Sequence, residues 1–218
     1  VIDTTCTLTA TPAEGHSFVC WLENGQEVST DAEYTFTVAG PRDLVAGFSP
    51  MEGTYIVFAD PNVEAICLNN WDTDSDGFLS YDEAAAVTNL GQVFYYNRNI
   101  TSFDELQYFT GLTYINEYEF EYCENLTSVI LPQNVTSIGY AAFGSCHNLT
   151  GEFVIPNSVT YIGANAFYNC NSLTSIIIPD GITSIEEGVF DWCSSLETIN
   201  ILADRKSVVE GKSVDLGG

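Results

Sequence analysis

Basic side chains are almost missing from this sequence. Five Lys and Arg stand against 30 Asp and Glu in 218 residues, a formal net charge of −25. Such a surface repels nucleic acid phosphates and anionic membranes. It attracts cations, above all hard divalent ions that take oxygen ligands. Solubility through self-repulsion is the plainer explanation for most of these carboxylates. Histidine is also scarce: His16 and His147 lie in different segments, and neither has the context of a Ser/His/Asp or Cys/His arrangement. The Cys residues lack basic neighbours that would lower their pKa. A non-catalytic protein is therefore expected. No run of 18 apolar residues occurs, so no transmembrane helix is expected. No signal peptide precedes Val1, and the chain starts in mid-pattern. It reads as a fragment of a longer protein, with any targeting signal upstream. Seven Cys is an odd count, so at least one is unpaired or pairs between chains.

What is present suffices for packed cores: 45% hydrophobic residues, with 13% aromatic. The expected fold is mixed: a small all-β module (1–49), a helix–loop–helix (58–91), then a repeat solenoid with a parallel sheet (100–202). In the first segment Cys6–Ala10 alternates, Thr11–Gly15 turns, and Phe18–Leu22 returns. Asn24-Gly25 marks a hairpin whose central residues need positive φ. Tyr34–Val38 and Leu44–Phe48 are two more strands, separated by Gly40-Pro41. A first hairpin centred near Ala13 would set Leu8 opposite Phe18 and Cys6 opposite Cys20. That leaves either a cross-strand disulfide or two buried thiols.

In the second segment Asp60-Pro61 supplies an N-cap and an N1 proline, and Val63, Ile66, Cys67 and Trp71 recur at helical spacing. The loop Asp72–Glu83 fits a calcium-binding pattern. Asp72, Asp74 and Asp76 fill positions 1, 3 and 5, and Gly77 permits the sharp turn. Phe78 offers a backbone carbonyl, Ser80 acts through water, and Glu83 supplies a bidentate carboxylate. The alternative is an Asp-Gly turn without metal. A single loop that resembles an EF-hand in this way reads as a structural, weakly binding Ca²⁺ site at the domain junction, with a dissociation constant of about 10⁻⁴–10⁻³ M.

The third segment repeats. Phe120, Phe143, Phe167 and Phe190 are separated by 23, 24 and 23 residues, and Cys123, Cys146, Cys170 and Cys193 follow each Phe by three. Leu126, Leu149, Leu173 and Leu196 follow each Cys by three. The one-residue excess of the second repeat falls at Gly151-Glu152. A fixed period in the twenties means stacked coils, each burying its apolar column against the next. The Phe and Leu columns, with Ile115, Ile138, Ile162 and Ile185, are expected in the core. The Cys column is expected as a line of buried thiols, since one Cys per coil cannot build a tetrahedral metal site. In Leu173–Ile178 the inward residues are Leu173, Ile176 and Ile178, leaving Thr174, Ser175 and Ile177 outward. The equivalent outward column is Ile130, Val154, Ile177 and Asn200, flanked by Thr127, Ser128, Thr150 and Thr198. This ladder is the candidate partner-binding face, unless its β-branched residues merely suit strands. Residues 203–218 break the pattern, as a cap or as a foreign tail.

Two resemblances add to this reading. Thr9-Ala10-Thr11-Pro12, Gly15–Phe18, Trp21 with Glu23-Asn24-Gly25, and Tyr34–Val38 resemble the divergent internalin B-repeat family, which implies a spacer module, here without its first strand. The repeats, best seen in Asn157–Pro179, resemble the BspA-like leucine-rich repeats of bacterial surface proteins, and Ile100–Leu112 resembles their degenerate opening repeat. That resemblance implies display at the bacterial cell surface and attachment to a host or matrix protein or another surface component. A structural stalk and a glycan-binding surface component remain alternatives. Tyr140, Tyr161 and Tyr168 are the sugar-stacking candidates, with Trp192 half buried beside a core Cys.

Overall fold

In the computed structural model, residues 5–13, 15–51 and 53–202 are described, and the chain divides into two compact units between Ile56 and Val57. The tail 203–218 and the chain start at Val1 lie outside the described residues.

The first unit holds five strands: β1 (Thr5–Thr9), β2 (His16–Glu23), β3 (Gln26–Ser29), β4 (Glu33–Thr37) and β5 (Leu44–Pro50). β1 pairs antiparallel with β4, and β2 lies between β3 and β5. The β2–β3 hairpin turns at Asn24 (φ 53°) and Gly25 (φ 75°), as that dipeptide requires. The first hairpin expected from sequence does not form. Leu8 faces Tyr34 and Cys6 faces Phe36, while Cys20 pairs with Gly47 on another sheet. Both cysteines are thiols. The turn after Ala10 sends β2 to different partners, so the two Cys do not meet across a ladder.

The second unit begins with α1 (Pro61–Trp71). The Asp60 side chain caps it by accepting from the Asn62 backbone N–H, with Pro61 opening the first turn. The other Asp60 oxygen accepts from the Thr101 hydroxyl at 2.8 Å and from its backbone N–H. Burial pushes the Asp60 carboxyl up, but the Thr101 and Asn62 donors outweigh it and hold the group below its ordinary value. Val63 and Cys67 are fully buried, and Trp71 meets Phe109 edge-on at 5.4 Å. At the end of the loop Leu79 is buried, and α2 (Tyr81–Ala86) follows with Ala84 fully buried.

The coils follow. β6 (Ser102–Phe103) and β8 (Ser128–Val129) pair in parallel, as do β10 (Gly151–Val154), β12 (Leu173–Pro179) and β13 (Thr198–Leu202). A second parallel ladder joins β7 (Tyr114–Ile115), β9 (Ser137–Ile138) and β11 (Tyr161–Ile162). The register shifts between Gly151 and Glu152, where the repeat carries its extra residue, and Gly151 takes φ 76°.

Inside, the phenylalanines stack: Phe120 on Phe143 at 5.2 Å and 6°, Phe143 on Phe167 at 5.3 Å and 9°. The column begins one coil earlier than its sequence signature, at Phe94, 5.3 Å from Phe120. Asn97 stands there where later coils carry Cys. Each thiol donates to the carbonyl of the Phe one coil before: Cys123 to Phe94, Cys146 to Phe120, Cys170 to Phe143 and Cys193 to Phe167, at 3.0–3.2 Å. A buried carbonyl is thereby satisfied at each step. Gly139 and Gly163 let the coils close up, because a Cβ on Gly163 would lie 2.7 Å from the Tyr140 backbone nitrogen. Ile185, expected in the core, is 48% exposed, and Phe190, Cys193 and Leu196 are only half buried. They belong to the last described coil, which has no described coil stacked on its far side.

Backbone hydrogen bonds join the coils on two sides. Beside the parallel strands they run in both directions: Thr127 donates back to Thr101, Gly139 to Ile115 and Gly163 to Ile138, whereas Ile155 donates forward to Ile177. Around the Phe turns the earlier coil donates: Phe120 to Ala142, Phe143 to Ala166, Phe167 to Val189.

Candidate functional site

The acidic loop leaves α1 at Asp72, whose backbone N–H still bonds to Leu68. Ser75 (φ 60°) and Gly77 (φ 86°) take left-handed backbone, which folds the loop back on itself. Gly77 N–H donates to Asp72 Oδ2 at 3.0 Å, Asp76 N–H to Asp74 at 3.2 Å, and Phe78 N–H to Asp76 at 2.8 Å. Asp72, Asp74 and Asp76 thus each place a carboxylate oxygen within 4.8 Å of the others. Asp72 Oδ1 is buried and has no hydrogen-bond donor. A buried carboxylate oxygen without a donor is costly unless a cation meets it. By this measure the three aspartates fit a hard cation.

Glu83 stands apart from that cluster. Its Oε1 accepts from the Thr73 N–H and hydroxyl, at 2.7 and 2.8 Å. Its Oε2 accepts from the Ser80 N–H and hydroxyl, at 3.0 and 2.9 Å. The Ser80 hydroxyl in turn receives Glu83 N–H, completing a capping box at the start of α2. Four donors fill the acceptor capacity of one carboxylate. Burial pushes Glu83 up, but the Ser80 and Thr73 donors outweigh it and hold its carboxyl below its ordinary value. Ser80 and Glu83 therefore serve the helix cap in this arrangement, while the Phe78 side chain is 39% exposed at the loop surface.

The outward ladder lies where strand alternation places it. Thr127, Ile130, Thr150, Val154, Thr174, Thr198 and Asn200 are exposed, and Ser128, Ser175 and Ile177 are half buried. Hydroxyls of Thr127 and Thr174 bond back to the carbonyls of Thr101 and Gly151. That contact spends part of their polarity on the coil before.

A second face was not visible as a column. Around the Phe turns, Tyr96, Tyr118 and Tyr122 take φ near 60°. Their rings run as a chain, with Tyr96–Tyr122 at 5.1 Å and Tyr118–Tyr140 at 5.3 Å. Beside it opens a cleft of about 150 Å³ lined by Glu121, Tyr122, Tyr140, Ser145, Asn165 and Tyr168, among others. Tyr140 and Tyr168 share this cleft, whereas Tyr161 sits on the β7–β9–β11 ladder. Trp192 is 73% exposed rather than half buried, again on the last described coil. The available signal was the aromatic residues flanking each core Phe, but their offsets from it vary.

The thiols offer little chemistry. Burial pushes Cys123 up to about 12 and Cys146 further, so neither is a thiolate at neutral pH. His147 is engaged with the Asn169 amide at 2.9 Å. No helix among the described residues is long and apolar enough to cross a membrane.

Comparison with known proteins agrees with this architecture. Residues 87–211 match the BspA type leucine rich repeat region in six copies. Residues 2–52 match the divergent InlB B-repeat domain. Among solved structures the chain is similar to a leucine rich repeat protein of T. pallidum, at 34% identity over 42% of each chain with a TM-score of 0.41. It is also similar to a leucine rich cell surface protein of Faecalibacterium prausnitzii A2-165, at 23% identity over 47% of this chain and 34% of that one, TM-score 0.39. The matched region thus spans less than half the length of either solved protein. No curated protein matches.

Proposed function

The chain belongs to the BspA-type leucine rich repeat family, and from that premise we propose that it is a non-catalytic cell-surface protein whose repeats adhere to another protein. The observation that carries this reading is the outward ladder on the parallel strands, with Ile130 and Val154 at 44% and 53% exposure. Exposed β-branched carbon in a row, held rigid by a stacked core, suits a protein partner of host, matrix or cell-surface origin. The test is binding of the whole chain to a panel of matrix and surface proteins. A Val154→Glu, Ile177→Glu variant should lose most of the signal. No binding to any member would favour a structural stalk.

The aspartate loop is a structural Ca²⁺ site in this reading. Asp72, Asp74 and Asp76 would hold the ion with the Phe78 carbonyl, and Ser80 through water and Glu83 would complete the set only by giving up the cap bonds they make with each other and with Thr73. Bound Ca²⁺ would neutralise clustered carboxylates beside the first coils. Support comes from the three gathered carboxylates and the donorless Asp72 Oδ1. Calorimetric titration should give one site with a dissociation constant of about 10⁻⁴–10⁻³ M. Chelation should lower the melting temperature of the repeat unit, and an identical melt with and without Ca²⁺ would remove the site from the account.

A further inference from the structure

Arg42 and Arg98 are the only Lys or Arg among the described residues. Both are received in the same way. The Arg42 guanidinium lies 4.4 Å from the Phe36 ring centre and donates to both Glu23 oxygens, at 2.9 and 2.7 Å. Arg98 lies 4.8 Å over the Tyr96 ring and donates to Glu124 at 2.7 Å and to the Tyr96 hydroxyl at 3.1 Å. An aromatic face with a carboxylate beside it is thus how this chain holds a guanidinium, and the chemistry is general.

One coil further along the Phe turns, the same elements recur without a cation. Glu121 and Tyr122 follow Phe120, Tyr140 and Ser145 flank Phe143, and Asn165 and Tyr168 flank Phe167, so three coils build the cleft. Asn165 Nδ2 donates to the Tyr140 hydroxyl at 2.9 Å and fixes that ring. The Glu121 carboxylate makes no hydrogen bond or ion pair among the described residues, and partial burial alone pushes it up. The neighbouring Tyr122 hydroxyl is pushed up first by the Glu121 charge. The cleft therefore carries negative potential that no basic side chain among the described residues answers. Its volume of about 150 Å³ is below the roughly 300 Å³ at which small-molecule sites begin. It suits the head of one side chain better than a saccharide.

We infer that this cleft receives the guanidinium or ammonium head of an Arg or Lys from a basic segment of the partner protein. The inference rests on the reading of the chain as a protein-binding surface, and it names the chemistry of the partner and a second face for contact. The probe is hexa-arginine, titrated calorimetrically into the full chain at about 0.15 M salt, where loose surface attraction is screened. A saturable site is expected, weakened about tenfold by Glu121→Gln and by Tyr140→Ala. Glu197→Gln removes an equal charge from the strand side and should change affinity less than about twofold. Should Tyr140→Ala fail to fold, Tyr140→Leu with Glu121→Gln carries the test. The inference is overturned if hexa-arginine does not saturate, or if Glu197→Gln costs as much as Glu121→Gln. A glycan-array signal abolished by Tyr140→Ala would also overturn it, in favour of a sugar. If the chain binds a panel protein and the cleft variants bind it equally well, this inference fails while the proposed function stands. If the panel gives nothing, the hexa-arginine titration still decides the cleft.

Discussion

The β module and the repeat unit differ most in where their buried carbon lies. In the described module only Ala10, Cys20, Trp21 and Ile56 are buried, and Phe18 reaches Trp21 and Phe48 from half-exposed positions. In the repeats Phe94, Phe120, Phe143 and Phe167 are fully buried, with Leu126, Ile138 and Leu173 beside them at 0–1% exposure. A small module has a fixed and unfavourable ratio of surface to volume. A coil shares faces with two neighbours, so its burial is completed by copies of itself. The module relies correspondingly more on surface contacts such as Arg42 with Glu23 and Phe36.

Sharply different responses to substitution follow. The largest effect is expected from Phe143→Ala, which removes a ring stacked on both sides. It should cost about 3–5 kcal/mol and lower the repeat-unit transition in calorimetry while leaving a separate module transition in place. If both transitions moved together, the contrast between the units would be lost. Gly163→Ala forces a Cβ against the Tyr140 backbone and should cost about 1–3 kcal/mol, again confined to the repeats.

Asp60→Ala removes the α1 cap and the tie to Thr101, at about 1–2 kcal/mol. It also tests pH dependence. The folded Asp60 carboxyl titrates below its ordinary value, so its contribution is complete above that value, about 3.9. It is lost as pH falls through the lower folded value. The parent repeat unit should therefore lose stability in acid more steeply than Asp60→Ala, as followed by melting temperature between pH 6 and 2. The smallest effect is expected from Arg42→Met, which should shift only the module transition and should do so less at high salt.

The parts legible in the sequence were those where one residue type recurs in phase. The Phe and Cys columns as far as Phe167 and Cys170, the inward and outward residues of Leu173–Ile178, and the extra residue at Gly151-Glu152 all lie where periodicity put them. What escaped lacked a periodic signal. Phe94 was hidden because Asn97 replaces the Cys that marks later coils. Glu119, buried at the position of Ala142 and Ala166, accepts from Gln92 N–H and Asn116, and a lone carboxylate announces no such role. The expected register that set Cys6 opposite Cys20 failed, leaving the thiol alternative, because strand partners in the module are set by long-range pairing, which local alternation does not encode. In the acidic loop the spacing identified three clustered aspartates. The Ser80-x-x-Glu83 spacing is also that of a capping box, a reading the calcium pattern displaced, whereas the Thr73 donors to Glu83 carry no local signal.

The mixed sense of the inter-coil hydrogen bonds bears on length. In an α-helix every peptide dipole points the same way, and partial charge collects at the ends. Here the Phe-turn peptides donate forward, whereas beside the strands donation runs both ways, with Thr127 to Thr101 backward and Ile155 to Ile177 forward. The axial dipoles of successive coils therefore do not all add with one sign, and an added coil does not simply enlarge an end-to-end dipole. Coil number in such an array is limited more by how its ends are covered, and reach can be adjusted by duplication at little dipolar cost.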